Sequence, residues 1–216
     1  MLSNKFTYPF AAVISVIAFI ALTFTAVIQA QETEIVGTSM EQAREVVAKF
    51  TSAEAPGMNC SAVVVAPEIA LTAGHCADIP SPQLELEAIS GVPGRENGLL
   101  LPVERVDVVD GRDLAVMIVP GLECPCAFID YDHLALKDEI TYAVGYPFNL
   151  IQILTTGHIQ GREASEGPEY LLSTTPVAPG NSGGGLFVVR DGYVYLVGIT
   201  VAYAGTNHIA ASVELK

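Results

Sequence analysis

The chain has 216 residues, of which 50% are hydrophobic and only 16% are charged, with a formal net charge of -14 at pH 7. This length allows one domain or two small domains that share an interface. The acidic balance argues against binding to nucleic acids and other anionic polymers, so we predict no nucleic-acid partner.

The first thirty residues have the features of an export signal. No charged residue lies between Phe10 and Ile28, Lys5 precedes this run, and the small residue Ala30 follows it. We predict a signal peptide over residues 1–30, cleaved after Ala30. An uncleaved membrane anchor is the alternative, because the run approaches the roughly 20 residues that span a bilayer. In both cases Lys5 keeps the N-terminus on the cytoplasmic side, so we predict that the chain after residue 30 is exported to the periplasm or secreted. Membrane contact is expected only if the segment remains as an anchor.

One helix is predicted after this segment. Residues 41–50 place Ala43, Val46, Val47 and Phe50 on one face at helical spacing.

From Cys60 onward the pattern changes to short apolar runs broken by Gly, Pro, Asn and Asp. Predicted strands cover residues 62–65, 69–72, 84–89, 100–109, 114–119, 140–146, 154–160, 170–173, 185–189, 193–200 and 208–213. About ten short strands without interleaved helices predict an all-β, antiparallel sandwich or pair of barrels. A break at residues 123–137 divides the strands into an N-terminal barrel over 31–128 and a C-terminal barrel over 129–216.

Three segments carry residues suited to catalysis: His75 in LTAGHC (71–76), Asp113 in RDLAVMIV (112–119) and Ser182 in PGNSGGGL (179–186). A serine hydroxyl needs a base to become nucleophilic, and histidine exchanges protons near neutral pH. The oxyanion that forms needs fixed donors, which the amides of Gly180 and Ser182 can provide. Taken singly, the segments also fit a flexible glycine loop, a structural histidine and a strand-capping acid. Their joint order His, Asp, Ser favours a catalytic triad.

These three motifs resemble those of the trypsin/chymotrypsin-like serine peptidases. Asn181 before the serine and the short chain look like the bacterial Do-type (HtrA-like) and glutamyl-endopeptidase branches. The resemblance implies two Greek-key β-barrels with the active site in the cleft between them. It also implies that Ser182 attacks, that His75 transfers the proton and that Asp113, preferred over Asp107 and Asp110, orients the imidazole.

The resemblance further implies an oxyanion hole formed by the Gly180 and Ser182 amides and a disulfide between Cys60 and Cys76. No cofactor and no metal is expected. The third residue after Ser182 is Gly185, where the family usually has Pro. The chain ends soon after the last predicted strand, so we expect no PDZ domain of the Do-type kind.

The candidate substrate pocket contains no charge. The family resemblance assigns Pro176, Val177, Thr200 and Val201 to its walls, which favours a small or medium apolar side chain. Thr200 stands where glutamyl endopeptidases carry a histidine, which argues against strict glutamate specificity.

The remaining cysteines and histidines receive no catalytic role. Cys124 and Cys126 are separated by one proline, and a reducible disulfide, two free thiols and an intermolecular link remain open. His133, His158 and His208 are interpreted as surface or structural residues.

Together these observations predict an exported serine endopeptidase that acts on protein or peptide substrates. The alternatives are a non-catalytic, protease-like module that binds peptides and a serine esterase that uses the same triad.

Overall fold

The computed structural model describes residues 40–88, 97–131, 134–164, 169–204 and 209–215. The first seven strands within these ranges are β1 (Val47–Ser52), β2 (Asn59–Ala66), β3 (Ile69–Thr72), β4 (Pro82–Leu86), β5 (Leu99–Pro102), β6 (Arg105–Val108) and β7 (Ala115–Ile118). The second group is β8 (Phe128–Ile129), β9 (Ile140–Gly145), β10 (Ile153–Ala164), β11 (Glu169–Ser173), β12 (Gly185–Arg190), β13 (Tyr193–Ala204) and β14 (Ile209–Glu214). The predicted division into domains at residue 128 remains a prediction.

The first sheet is a half-barrel with the order β5-β4-β1-β2-β3-β7-β6. All its pairings are antiparallel. Sequence analysis predicted one strand over 100–109, but this segment bends at Val103 and Glu104. The Val103 amide bonds to Pro82 at one edge and the Glu104 amide to Ile118 at the other. The single apolar run therefore supplies both edge strands.

The second sheet closes into a six-stranded barrel. Its order is β12-β9-β10-β11-β14-β13-β8, and β12 also pairs with β13. The short strand β8 adds to β13 in parallel outside the closed ring. This nearly all-β arrangement of a half-barrel and a barrel confirms the predicted chymotrypsin-like fold class.

The predicted helix over 41–50 is wrong in its second half. Residues 40–45 are helical, whereas β1 begins at Val47. The predicted apolar face is nonetheless buried, since Ala43, Val46, Val47 and Phe50 are at most 5% exposed. Strand β1 pairs with both β2 and β4, so backbone pairing on two sides outweighs the local helical periodicity.

The two sheets share one apolar core. Phe50, Val63 and Met117 from the first sheet belong to the same buried cluster as Phe187 and Leu196 from the second. A smaller cluster that includes Ile159, Leu171 and Val188 is formed by second-sheet strands and the preceding segment. The shared core fixes the position of each sheet against the other, and the cleft between them can therefore keep a defined shape.

No helix among the residues described above is long and apolar enough to cross a bilayer. The predicted signal or anchor over 1–30 lies outside the described residues.

A largely buried ion network joins β12 to the segment between β8 and β9. Arg190 of β12 contacts Glu139 and Asp130, each at 2.7 Å, and the three side chains are 19%, 16% and 9% exposed. Burial alone would raise the pKa of Glu139. Hydrogen bonds from Arg190 and the Leu136 amide outweigh burial, so this pKa lies below its usual value.

Replacing Arg190 by Met should lower the free energy of unfolding at neutral pH by about 3 kcal/mol, because two largely buried carboxylates lose the cation they share. Glu139 has a lowered folded pKa, so its contribution is present above its ordinary pKa and is lost as the pH falls through the folded value. The difference between wild type and R190M should therefore shrink in acid.

Urea unfolding at neutral and acid pH measures this difference. The control is Arg105→Met, since the Arg105–Asp107 pair is 65% and 54% exposed and should contribute less than about 1 kcal/mol. Equal losses in the two variants at neutral pH would contradict the account.

Candidate active site

His75 lies on a short 3-10 turn, Gly74–Cys76, immediately after β3. Cys76 on this turn is joined to Cys60 on β2 by a disulfide, as the family resemblance implied. Both cysteines are buried, at 1% and 7% exposure, whereas the His75 side chain is 48% exposed. The disulfide thus fixes the base of the turn and leaves the imidazole accessible from the cleft.

The Asp113 carboxylate binds both the side chain and the backbone of His75. The His75 Nδ1 lies 2.9 Å from Asp113 Oδ2, and the His75 amide donates to Asp113 Oδ1 at 2.8 Å. A Cβ atom at Gly74 would lie 3.0 Å from Asp113 Oδ1 and from the Leu114 nitrogen, so glycine permits this close approach. A tautomer that donates from Nδ1 leaves Nε2 as a proton acceptor.

The two competing aspartates lie elsewhere. Asp107 on β6 pairs with Arg105, and Asp110 is exposed in the following turn. The structure therefore brings Asp113, and neither of these, against His75.

The turn that carries Ser182 is held from two sides. The Ser182 carbonyl accepts a 2.7 Å hydrogen bond from the Ser61 amide on β2, and the Gly183 amide donates to Thr200 of β13 at 2.7 Å. Gly183 has a φ of +85°, and a Cβ atom there would lie 2.0 Å from the Ser61 carbonyl oxygen. Only glycine fits this position.

Among the described residues, two amides of the serine loop donate to no backbone carbonyl and are available as donors. The Pro179 carbonyl accepts from the Phe148 amide, and the Asn181 carbonyl accepts from the Gly184 amide. In a trans peptide the N–H points opposite to the C=O, so the following N–H groups, those of Gly180 and Ser182, point away from these bonds. Within the described ranges neither N–H donates to another backbone group.

Residues from both halves of the site line one cavity of about 500 Å³. His75 and the Cys60–Cys76 bridge line it from the first sheet, and Gly180 and Ser182 line it from the second. Met58, Ile79 and Phe148 add apolar surface, and the Phe148 side chain is 64% exposed. The cleft therefore combines a paired histidine, a serine and free amides with an apolar lining that can hold a substrate.

Ser61, which belongs to none of the three sequence motifs, connects these parts. Its hydroxyl donates to the Gly180 carbonyl at 2.8 Å and accepts from the Tyr146 amide at 2.9 Å. Its carbonyl accepts from the hydroxyl of Thr72, three residues before His75, at 2.8 Å. The signal available in the sequence was a serine between Cys60 and Ala62, directly before the apolar strand predicted over 62–65.

The four predicted pocket residues do not line this cavity. Thr200 and Val201 are buried in β13, at 3% and 6% exposure, while Pro176 is exposed and Val177 is half-buried. Asn181 is also buried, and its Oδ1 has no hydrogen-bond partner among the described residues. The role of the four predicted pocket residues in specificity remains a prediction.

The other histidines lie apart from the site or outside the described residues. His158 is exposed on β10, where its backbone pairs with Thr174. His133 and His208 fall outside the described ranges.

Residues 60–199 match the family described as the trypsin-like peptidase domain. The chain belongs to this family. His75, Asp113 and Ser182 all lie within the matched range. Among curated proteins, none matches the sequence.

Several solved structures share the fold. The inactive form of Rv3671c from M. tuberculosis H37Rv, a serine-to-alanine mutant, is 16% identical with a TM-score of 0.65, over 83% of this chain and 84% of that one. The serine endoprotease from Yersinia pestis is 21% identical with a TM-score of 0.68, over 82% of this chain and 61% of that one. The HtrA-type protease AlgW, solved with a tripeptide, is 20% identical with a TM-score of 0.68, over 82% and 59%.

At these identities the similarity shows the fold, and this chain spans about three fifths of the Yersinia and AlgW chains. The expected resemblance to trypsin-like serine peptidases is confirmed by the family match, and the fold is shared with HtrA-type proteases.

Replacing Ser61 by Ala should lower kcat about 10-fold or more with a smaller change in KM. The Gly180 carbonyl loses a donor and the Tyr146 amide loses an acceptor, so the serine loop shifts relative to His75. Steady-state kinetics on a peptide substrate measures both constants.

Ser212→Ala is a matched control, since Ser212 is fully buried and its hydroxyl has no partner among the described residues. Equal kcat in wild type and S61A would show that Ser61 does not position the loop.

Proposed function

We propose that the protein is an exported serine endopeptidase with a triad of Ser182, His75 and Asp113. The observation that carries this proposal is the pair of hydrogen bonds that Asp113 accepts from the Nδ1 and the amide of His75, in a cleft that Ser182 also lines. Membership of the trypsin-like peptidase family supports the same class of reaction.

The reaction follows from the roles of these groups. His75 Nε2 takes the proton of the Ser182 hydroxyl as its oxygen attacks the substrate carbonyl. Asp113 accepts from Nδ1 and stabilises the imidazolium. The Gly180 and Ser182 amides donate to the oxyanion, and His75 then protonates the leaving amine. Water attacks the resulting acyl-enzyme by the reverse sequence.

The substrate is a protein or peptide with an apolar residue at the cleavage site. Met58, Ile79 and Phe148 present apolar surface in the cleft, where Asp78 is the acidic residue of the lining. The predicted pocket residues Pro176, Val177, Thr200 and Val201, which lie outside this cavity, carry no charge.

Export is supported by the two disulfides of the described residues, since such bonds persist in oxidising compartments. The apolar segment over 1–30 supplies the export signal, or a membrane anchor if it is not cleaved.

Ser182→Ala and His75→Ala should each abolish casein hydrolysis and labelling by a fluorophosphonate probe, with a loss in kcat of at least about 10⁴-fold. Ser212→Ala is the control and should retain both signals. Wild-type hydrolysis by either triad variant would refute the triad. Stoichiometric labelling with ester turnover and no peptide cleavage would indicate the esterase instead, and no labelling of folded wild type would indicate a binding module.

Replacing Asp113 by Asn should lower kcat by about 10⁴-fold while the fold is retained, because the amide side chain favours the wrong imidazole tautomer. Asp107→Asn is the matched control, since Asp107 lies on the exposed surface of β6. Peptide turnover and circular dichroism measure the two effects. A loss of similar size in D107N would mean that the nearby aspartates are not distinguished as proposed.

A further inference from the structure

The two disulfides occupy contrasting environments. Cys60–Cys76 closes a separation of 16 residues inside the main core. Cys124–Cys126 closes a separation of only two residues in the segment between β7 and β8, where Cys124 is exposed and Cys126 is half-buried. Exposed disulfides are those that exchange with external thiols, whereas buried structural disulfides resist reduction.

The chain is fixed on both sides of the Cys124–Cys126 ring. Before it, the Leu122 carbonyl accepts a 2.8 Å hydrogen bond from the Glu68 amide, and Leu122 is 1% exposed. After it, the Ala127 amide donates to the Val64 carbonyl at 2.8 Å. Because these bonds hold the segment to β2 and to the turn before β3, the ring can open without displacing either sheet.

A separate cavity of about 280 Å³ adjoins Cys126. Pro125 and Cys126 line it together with Phe187 and Val194 of the barrel, and Gln42 and Glu45 contribute from the helical residues. Its volume is near the lower limit of small-molecule sites, and much of its lining is apolar. A thiol with a short carbon chain fits such a space, which Cys126 helps to line.

We propose that Cys124–Cys126 is a thiol–disulfide exchange site whose substrate is a small dithiol bound in this cavity. A thiolate of the dithiol attacks the Cys126 sulfur, and the Cys124 thiolate leaves to solvent and takes up a proton. The second thiol of the reagent then attacks the reagent's own sulfur in the mixed disulfide. This step expels the Cys126 thiolate, which is protonated, and releases the cyclic oxidised reagent.

The net reaction transfers two electrons from the dithiol to the protein disulfide. Oxidation by a disulfide of the same class reverses it, because the two thiols are so close in the chain that the bridge re-forms within one molecule. The sulfurs of this pair do not line the cleft of His75 and Ser182, so this site is independent of the proposed peptidase activity.

Titration of the folded protein with dithiothreitol, followed by alkylation and peptide mass mapping, tests the proposal. Cys124–Cys126 should be reduced at a dithiothreitol concentration at least about 10-fold below that needed for Cys60–Cys76. The double variant C124S/C126S should retain casein hydrolysis. Reduction of both bridges together, or recovery of Cys124 and Cys126 as unpaired thiols from untreated protein, would overturn the proposal.

A cavity-filling variant tests the bound dithiol. Gln42 is exposed at the cavity, so Gln42→Trp should fill it from the surface and slow reduction of Cys124–Cys126 about 10-fold, while the matched Gln42→Ala leaves the rate unchanged. Equal rates in Q42W and Q42A would refute the cavity as the binding site. Reduction by thioredoxin but not by dithiothreitol at matched thiol concentration would refute a small dithiol as the substrate.

Discussion

Two adjacent residues of β2 hold both halves of the proposed active site. The Cys60 side chain fixes the turn of His75 through a disulfide, and the Ser61 amide and hydroxyl fix the carbonyls of Ser182 and Gly180. The two halves are thus attached to neighbouring residues, Cys60 and Ser61, of a strand that is paired with β1 on one side and with β3 on the other. Catalytic geometry needs this stiffness, because small displacements of reacting groups cost large factors in rate.

The shared core explains why a strand of the first sheet can control a loop of the second. Phe187 and Leu196 of the second sheet pack into the same cluster as Phe50 and Val63 of the first. A close-packed interior has low compressibility, so the two sheets keep a fixed position relative to each other. The hydrogen bonds from Ser61 therefore act between surfaces that packing has already fixed.

The fold class and the triad candidates could be predicted from the sequence, because strands and catalytic motifs are local patterns. His75, Asp113 and Ser182 each lie in a short segment with its own signature. By contrast, the local pattern predicts a helix where β1 lies, because the apolar residues of 43–50 have helical spacing. The pairing of β1 with β2 and β4, which makes this segment a strand, depends on residues outside the local window. The bend at Val103 likewise depends on which edge strands are available, which no local window contains.

Ser61 illustrates what sequence reasoning misses at the site. Its neighbours in space, Gly180 and Tyr146, are 119 and 85 residues away in the chain. A serine in an apolar strand indicates a buried hydrogen bond, but only the tertiary structure identifies the partner. Thr200 and Val201 are buried and do not line the cavity of Ser182, and their role in specificity remains a prediction.

The account rests on the convergence of the Ser182 hydroxyl, the His75 imidazole and two backbone amides at one point of the cleft. A crystal structure of the protein after reaction with a peptidyl phosphonate tests this most directly. The account predicts phosphorus bonded to the Ser182 Oγ, with one phosphonyl oxygen about 2.7–3.1 Å from the nitrogens of both Gly180 and Ser182. Phosphorus bonded to another residue, or a phosphonyl oxygen directed away from both amides, would contradict it.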